Sequence, residues 1–114
     1  MYESIQAGKI IDMKSKRALS DGTAGGIDHD SFTFEACRNV FSDWALLSEQ
    51  DIADAILVTL ERQHLMIEGA SALTIAALMR SPQRFAGQTV VLLLTGSKLG
   101  LETLRNLLAA TGHN

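Results

Sequence analysis

Gln88-Thr89-Val90-Val91-Leu92-Leu93-Leu94-Thr95-Gly96-Ser97-Lys98 is the stretch whose conformation decides the fold. Its apolar run is rich in branched side chains and closes on a hydroxyl and a glycine. That pattern reads as a parallel strand buried on both faces. Such a strand needs neighbours on both edges and helices over both faces. Its carboxyl end is where open α/β sheets hold ligands. Only one other strand candidate is clear, Asp43-Trp44-Ala45-Leu46-Leu47. The expectation is therefore an α/β fold, a small, mainly parallel sheet flanked by helices. It places a site at Thr95 and Gly96 and leaves much of the surrounding protein to be supplied from elsewhere.

A chain of 114 residues is one domain, 1–114, large enough for a single core. Its apolar content of 46% with 20% charged residues belongs to globular proteins. The net charge of −3 and the scattered basic residues argue against a nucleic-acid partner. The run Lys14-Ser15-Lys16-Arg17 reads as solvated surface. A single cysteine, Cys37, excludes an internal disulfide and fits a reducing compartment. His29, His64 and His113 have no metal-ligand spacing. The first residues lack a secretory pattern, and the longest apolar segment, 70–79, is too short to span a bilayer. The expectation is a cytoplasmic protein with no membrane partner.

Residues 2–13 read as a short helix broken at Gly8, and residues 31–38 as a helical turn or two. Ser48, with Asp51 three residues on, makes a helix start, because the hydroxyl can accept from an orphan amide. Aspartate stands where Glu or Gln is usual, which leaves the reciprocal half of a capping box in question. The helix that follows, 49–63, places Ile52, Ile56 and Leu60 on one face. A second helix, 70–80, is apolar all round and ends at Ser81-Pro82. It should be buried, and its alanines permit close approach of another backbone. A last helix, 101–110, should turn Leu101, Leu104, Leu107 and Leu108 inward, with Gly112 ending it and the tail frayed.

Chemistry has few places to sit. Ser20-Asp21-Gly22-Thr23-Ala24-Gly25-Gly26 reads as a loop, ordinary or built to let backbone pass close to a ligand. Glu68 precedes an otherwise apolar helix, where a carboxylate complements the helix dipole or faces a pocket. The Thr95-Gly96-Ser97 turn bonds nearby backbone or offers a hydroxyl to a bound ring or phosphate. It lacks the glycine density and lysine placement of a nucleotide-binding loop. Nothing resembles a nucleophile elbow, so no triad is assembled.

Taken in order, Ser20 to Ala24, Thr33-Phe34, Asp43, Leu47 to Ile52, Glu68-Gly69-Ala70 and Val90 to Gly96 resemble the carboxyl-terminal third of threonine/serine dehydratases. These are pyridoxal-phosphate lyases of the tryptophan synthase β fold (fold-type II), and the resemblance covers roughly residues 1–108. It implies removal of water from a hydroxy amino acid, giving a 2-oxo acid and ammonia. It also implies cofactor contacts from Thr95 (to the pyridine nitrogen), Gly96, Gly22 (beside the ring) and Glu68 (lining the pocket). Ser97 and Lys98 stand where the family has glycine and asparagine. The family's Schiff-base lysine and phosphate loop come from its amino-terminal part, and Lys9, Lys14, Lys16 and Lys98 do not sit in its lysine motif. Two expectations follow. This chain alone neither binds pyridoxal phosphate nor catalyses. It assembles as a homo-oligomer, or with a complementing amino-terminal polypeptide, or persists as a non-catalytic self-associating module.

Overall fold

A computed structural model of the chain describes residues 1–16 and 18–110. Its regular elements are five α-helices: α1 (Tyr2–Ala7), α2 (Thr33–Val40), α3 (Glu49–Gln63), α4 (Gly69–Arg80) and α5 (Leu101–Ala110). Single 3₁₀ turns occupy Asp21–Thr23 and Pro82–Phe85. Arg17 of the basic run, Gly112 and the tail lie outside the described residues.

The core is the α3–α4 pair. Ile52, Ala55 and Ile56 of α3 meet Ala72 and Ala76 of α4, with Ile67 from the connection and Leu107 from α5 completing the cluster. The alanines at the contact are essentially inaccessible, and their small side chains let the two backbones draw together. α3 starts on a complete capping box: Ser48 Oγ accepts from Asp51 N–H, and the Asp51 carboxylate accepts from Ser48 N–H. The shorter aspartate side chain therefore suffices. α3 ends on His64, held in the left-handed region at φ 56° with its N–H donated to the Leu60 carbonyl.

At the far end of α4, Arg80 donates to the Leu46 carbonyl (2.9 Å) and to Asp51 (3.1 Å), and Arg84 pairs with Asp43. These contacts tie residues 43–47 to the helix pair. Trp44 stacks edge-on with Phe41 and lies 6.0 Å from Tyr2, which docks α1 there.

The expected sheet is not formed. Among the described residues there is no strand, and both candidates, 43–47 and 90–94, are irregular. A strand is defined by its ladder, and neither segment has a neighbour to exchange backbone hydrogen bonds with. Val91 is 80% exposed and Leu93 67%, so the run expected at the centre of a sheet lies against solvent.

The helices need smaller corrections. α1 stops at Gly8, whose positive φ (70°) closes it, and residues 9–16 are irregular. α4 buries one face, while Leu73, Ile75 and Leu78 remain half-buried and Met79 is exposed. In α5 only Leu107 is buried; Leu104 is half-buried, and Leu101 and Leu108 are exposed. The Cα radius of gyration, 15.5 Å, exceeds the roughly 13 Å of a compact domain of this length. Among the described residues no helix is long and apolar enough to cross a membrane.

Candidate functional site

Three segments far apart in sequence meet at the first turn of α4. The reason begins with Gly69, the first residue of that helix. A Cβ there would overlap the Leu19 carbonyl and crowd the Ser20 amide, so only glycine lets the 18–24 loop lie against the helix start. The loop is fastened on its other side by Glu49, whose carboxylate accepts from Leu19 N–H at 2.7 Å. Within the loop, the Ser20 and Thr23 hydroxyls pair at 2.5 Å, and Thr23 also donates to the Ser20 carbonyl. Gly22 is thereby presented beside Ala70, whose Cβ would be 4.0 Å from a Cβ placed on the glycine.

The third segment arrives through Gly96. Its carbonyl accepts from Glu68 N–H (3.1 Å) and from the Ser71 hydroxyl (2.9 Å), and its N–H donates to that same hydroxyl (2.8 Å). One donor and both acceptor lone pairs are used, so the backbone of Gly96 is fully engaged. A Cβ on Gly96 would run into the Glu68 carboxyl group. That carboxylate instead accepts from Lys98 N–H at 3.2 Å. Glu68 is the residue preceding the first turn of α4, yet its side chain does not cap the helix. It crosses to the 96–98 turn.

Of the four residues singled out from the sequence, Glu68 and Gly96 are in contact, Gly22 lies against the same helical turn, and Thr95 follows from its bond to Gly96. Thr95 is exposed, and among the described residues its hydroxyl has no partner. Ser71 was missed. Its signal was a hydroxyl inside an apolar helix, which must find a partner when buried.

Beside this junction opens a cleft of about 450 Å³. Glu68, Asp21, Glu49 and Lys98 supply the charged part of its wall, and Leu99 and Leu107 part of its apolar wall. Thr95, Gly96 and Gly22 are outside it. Each of the three carboxylates already accepts a backbone N–H, from Lys98, Gly22 and Leu19 respectively. They act first as fasteners of irregular chain. Among the described residues no cluster of His, Cys, Asp and Glu could hold a metal ion.

The donor set suits one edge of a flat heteroaromatic ring. A neutral, unpartnered hydroxyl faces outward at Thr95, and at Gly22 only the Ala70 methyl lies near the space a Cβ would fill. Lys9, Lys14, Lys16 and Lys98 are all exposed to solvent.

The family described as pyridoxal-phosphate dependent enzyme matches residues 1–96. An L-threonine ammonia-lyase of Geobacter sulfurreducens is 35% identical over 107 residues, covering 90% of this chain and 25% of that protein. A beta-hydroxyaspartate dehydratase of Paracoccus denitrificans is 27% identical over 103 residues, covering 90% and 32%. The crystal structure of serine racemase from Dictyostelium discoideum superposes with a TM-score of 0.73 at 25% identity, over 88% of this chain and 32% of that one. The chain thus spans about a fifth to a third of the length of the relatives it matches. It belongs to the pyridoxal-phosphate dependent enzymes, in the threonine/serine dehydratase group of fold-type II.

Proposed function

We propose, given that membership, that this chain forms one wall of the cofactor site of a hydroxy-amino-acid dehydratase and does not carry out elimination by itself. The observation that carries the reading is the convergence of Gly22, Glu68 and Gly96 on the first turn of α4, with the Thr95 hydroxyl left free beside them. When bound, the cofactor supplies an electron sink for the carbanion formed at the substrate α-carbon. Thr95 would hold the ring nitrogen. A neutral hydroxyl donates to an unprotonated nitrogen, so it moderates the sink where a carboxylate would strengthen it. Gly22 would leave room beside the ring, Gly96 would let the Glu68 carboxyl group pass close to the backbone, and Glu68 would line the pocket while keeping the 96–98 turn in register.

The substrate would be threonine, serine or a related β-hydroxy amino acid, losing water to give a 2-oxo acid and ammonia. Proton abstraction needs an amine held against the reacting carbon in a sheltered setting. The four lysines of this chain are solvated. A complementing polypeptide would bring that amine and the phosphate cradle, and would cover the exposed run at 90–94. The same exposed run supports a second reading, a self-associating module no longer used in catalysis.

The test is 2-oxobutyrate formation from L-threonine and pyridoxal phosphate. The chain alone should give none above the blank. Co-expression with the part of the Geobacter relative that this chain does not match should give turnover, and Thr95→Val in that assembly should lower it at least tenfold. Turnover by the chain alone, or an assembly whose activity is indifferent to Thr95→Val, overturns the reading.

A further inference from the structure

We infer that Ser71 is a positioning residue, whose hydroxyl fixes the Thr95–Gly96 peptide and so aims the Thr95 side chain. The inference rests on the reading of Thr95 as the group that meets the cofactor ring.

Hydroxyls inside helices usually bond back to a carbonyl on their own helix. The other two in the α3–α4 pair do so: Thr59 donates to Ala55 O at 2.7 Å, and Thr74 to Ser71 O at 3.0 Å. Ser71 does not. It is fully buried, and its hydroxyl reaches 25 positions along the chain to take both the N–H and the carbonyl of Gly96. Donor and acceptor roles are both spent on one residue. An alanine would fill the same space on α4 and leave Gly96 with a single bond, from Glu68 N–H.

The upstream chain makes this matter. From Thr89 to Thr95 no backbone group is hydrogen-bonded among the described residues, and the apolar side chains of 90, 91, 93 and 94 face solvent. Thr95 is therefore held from its carboxyl side. Fixing the Gly96 N–H fixes the plane of the Thr95–Gly96 peptide, and with it the position of the Thr95 Cα, so that only rotation about the Thr95 Cα–C bond is left to set where its Cβ points. A hydroxyl–nitrogen bond tolerates only a few tenths of an ångström and some tens of degrees. Losing one such neutral hydrogen bond costs roughly twofold to tenfold in affinity.

The test uses the full chain first. In Ser71→Ala, Gly96 amide exchange followed by NMR should quicken at least tenfold. The Thr95 Cα chemical shift should move toward its random-coil value, while the amides of Ile56 and Ala76 keep their protection. Ser71→Thr, which retains the hydroxyl, should preserve the Gly96 protection and the Thr95 Cα shift. In the complemented assembly, Ser71→Ala should weaken pyridoxal-phosphate binding roughly two- to tenfold by fluorescence titration.

Unchanged Gly96 exchange or an unchanged Thr95 Cα shift in Ser71→Ala overturns the inference. So does unchanged cofactor affinity in Ser71→Ala when Thr95→Val lowers it, because Ser71 would then only join two segments. If Thr95→Val itself leaves affinity unchanged, the reading of Thr95 falls and takes the positioning role with it, which separates the two failures.

Discussion

The α3–α4 pair and the 88–98 segment are both rich in apolar side chains, yet one makes the core and the other lies in solvent. A helix satisfies its own backbone, so α3 needs only an apolar partner face, which α4 supplies 20 residues later. An extended run leaves every N–H and C=O to be satisfied by a neighbour. Among the described residues no neighbour is offered, so residues 89–95 hang between the turn after Phe85 and the hydrogen bonds at Gly96. The lesson is that burial belongs to the assembly and not to the segment. What replaces the ladder is a set of single side-chain bonds to backbone: Glu49 to Leu19, Ser71 to Gly96, Glu68 to Lys98 and Arg80 to Leu46.

The widest test of that contrast compares two truncations. Ile56 is 1% exposed and fills the α3–α4 contact, so Ile56→Ala should cost about 2–5 kcal/mol in chemical unfolding. Val91→Ser removes an apolar side chain of similar size from the solvated run and should change stability by less than about 0.5 kcal/mol. It should also reduce self-association in sedimentation, since the exposed row loses a member. Equal costs at the two sites would mean that the run is buried in solution and that the contrast is false.

Next in size is Gly69→Ala. The new methyl would meet the backbone at Leu19 and Ser20, which cannot swing aside as a side-chain end can. An overpacking cost of about 1–3 kcal/mol is expected. Amide exchange at Thr23 and Ala24 should rise more than exchange within α3. At Gly96 the clash is with the flexible Glu68 carboxyl, so Gly96→Ala should be milder and should show itself chiefly as lost protection at Lys98 N–H. A Gly96→Ala cost larger than that of Gly69→Ala would reverse the assignment of which contact is rigid.

How much could be read in advance follows the same division. α3 was legible down to its ends, because the Ser48 start and the four-residue spacing of Ile52, Ile56 and Leu60 are local. Its capping box was under-read: Asp51 reaches back as well as a longer acid would. The sheet was misread, since an apolar branched run states what the segment can join and not whether the partner is there. α5 was over-read for a related reason. Its leucine spacing implies an inward face, but only Leu107 finds the core. The gathering of Gly22, Glu68 and Gly96 came from the family resemblance and not from any spacing. Ser71 was visible only as a polar residue in an apolar helix.

A smaller effect probes how the packed pair is started and stapled. Asp51 is held below its ordinary value of 3.8, first by the Ser48 hydroxyl, then by the Ser48 N–H, with Arg80 adding charge attraction. The sign follows: a carboxylate depressed in the folded chain contributes stability that is complete above the unfolded value and is lost as pH falls through the folded one. Thermal unfolding should therefore weaken at Asp51 only as pH drops below about 4. Asp51→Asn should be less stable at pH 6 and should lose this part of the acid dependence. An acid limb of unchanged depth in Asp51→Asn would assign it to other carboxylates.

The smallest effect sits at the other end of α3. His64 occupies the left-handed region, where a Cβ approaches the following carbonyl at roughly 1–2 kcal/mol. Glycine removes that cost but has more freedom to lose on folding, roughly 0.5–1 kcal/mol. His64→Gly should then stabilise the chain by about 0.5–1 kcal/mol, with the N–H to Leu60 carbonyl bond retained. The same substitution in the solvated region, at Thr89, should stabilise nothing, because no left-handed strain is stored there. If His64→Gly destabilises, the imidazole contributes a contact outweighing its backbone strain, and the end of α3 is fixed by its side chain and not by its φ.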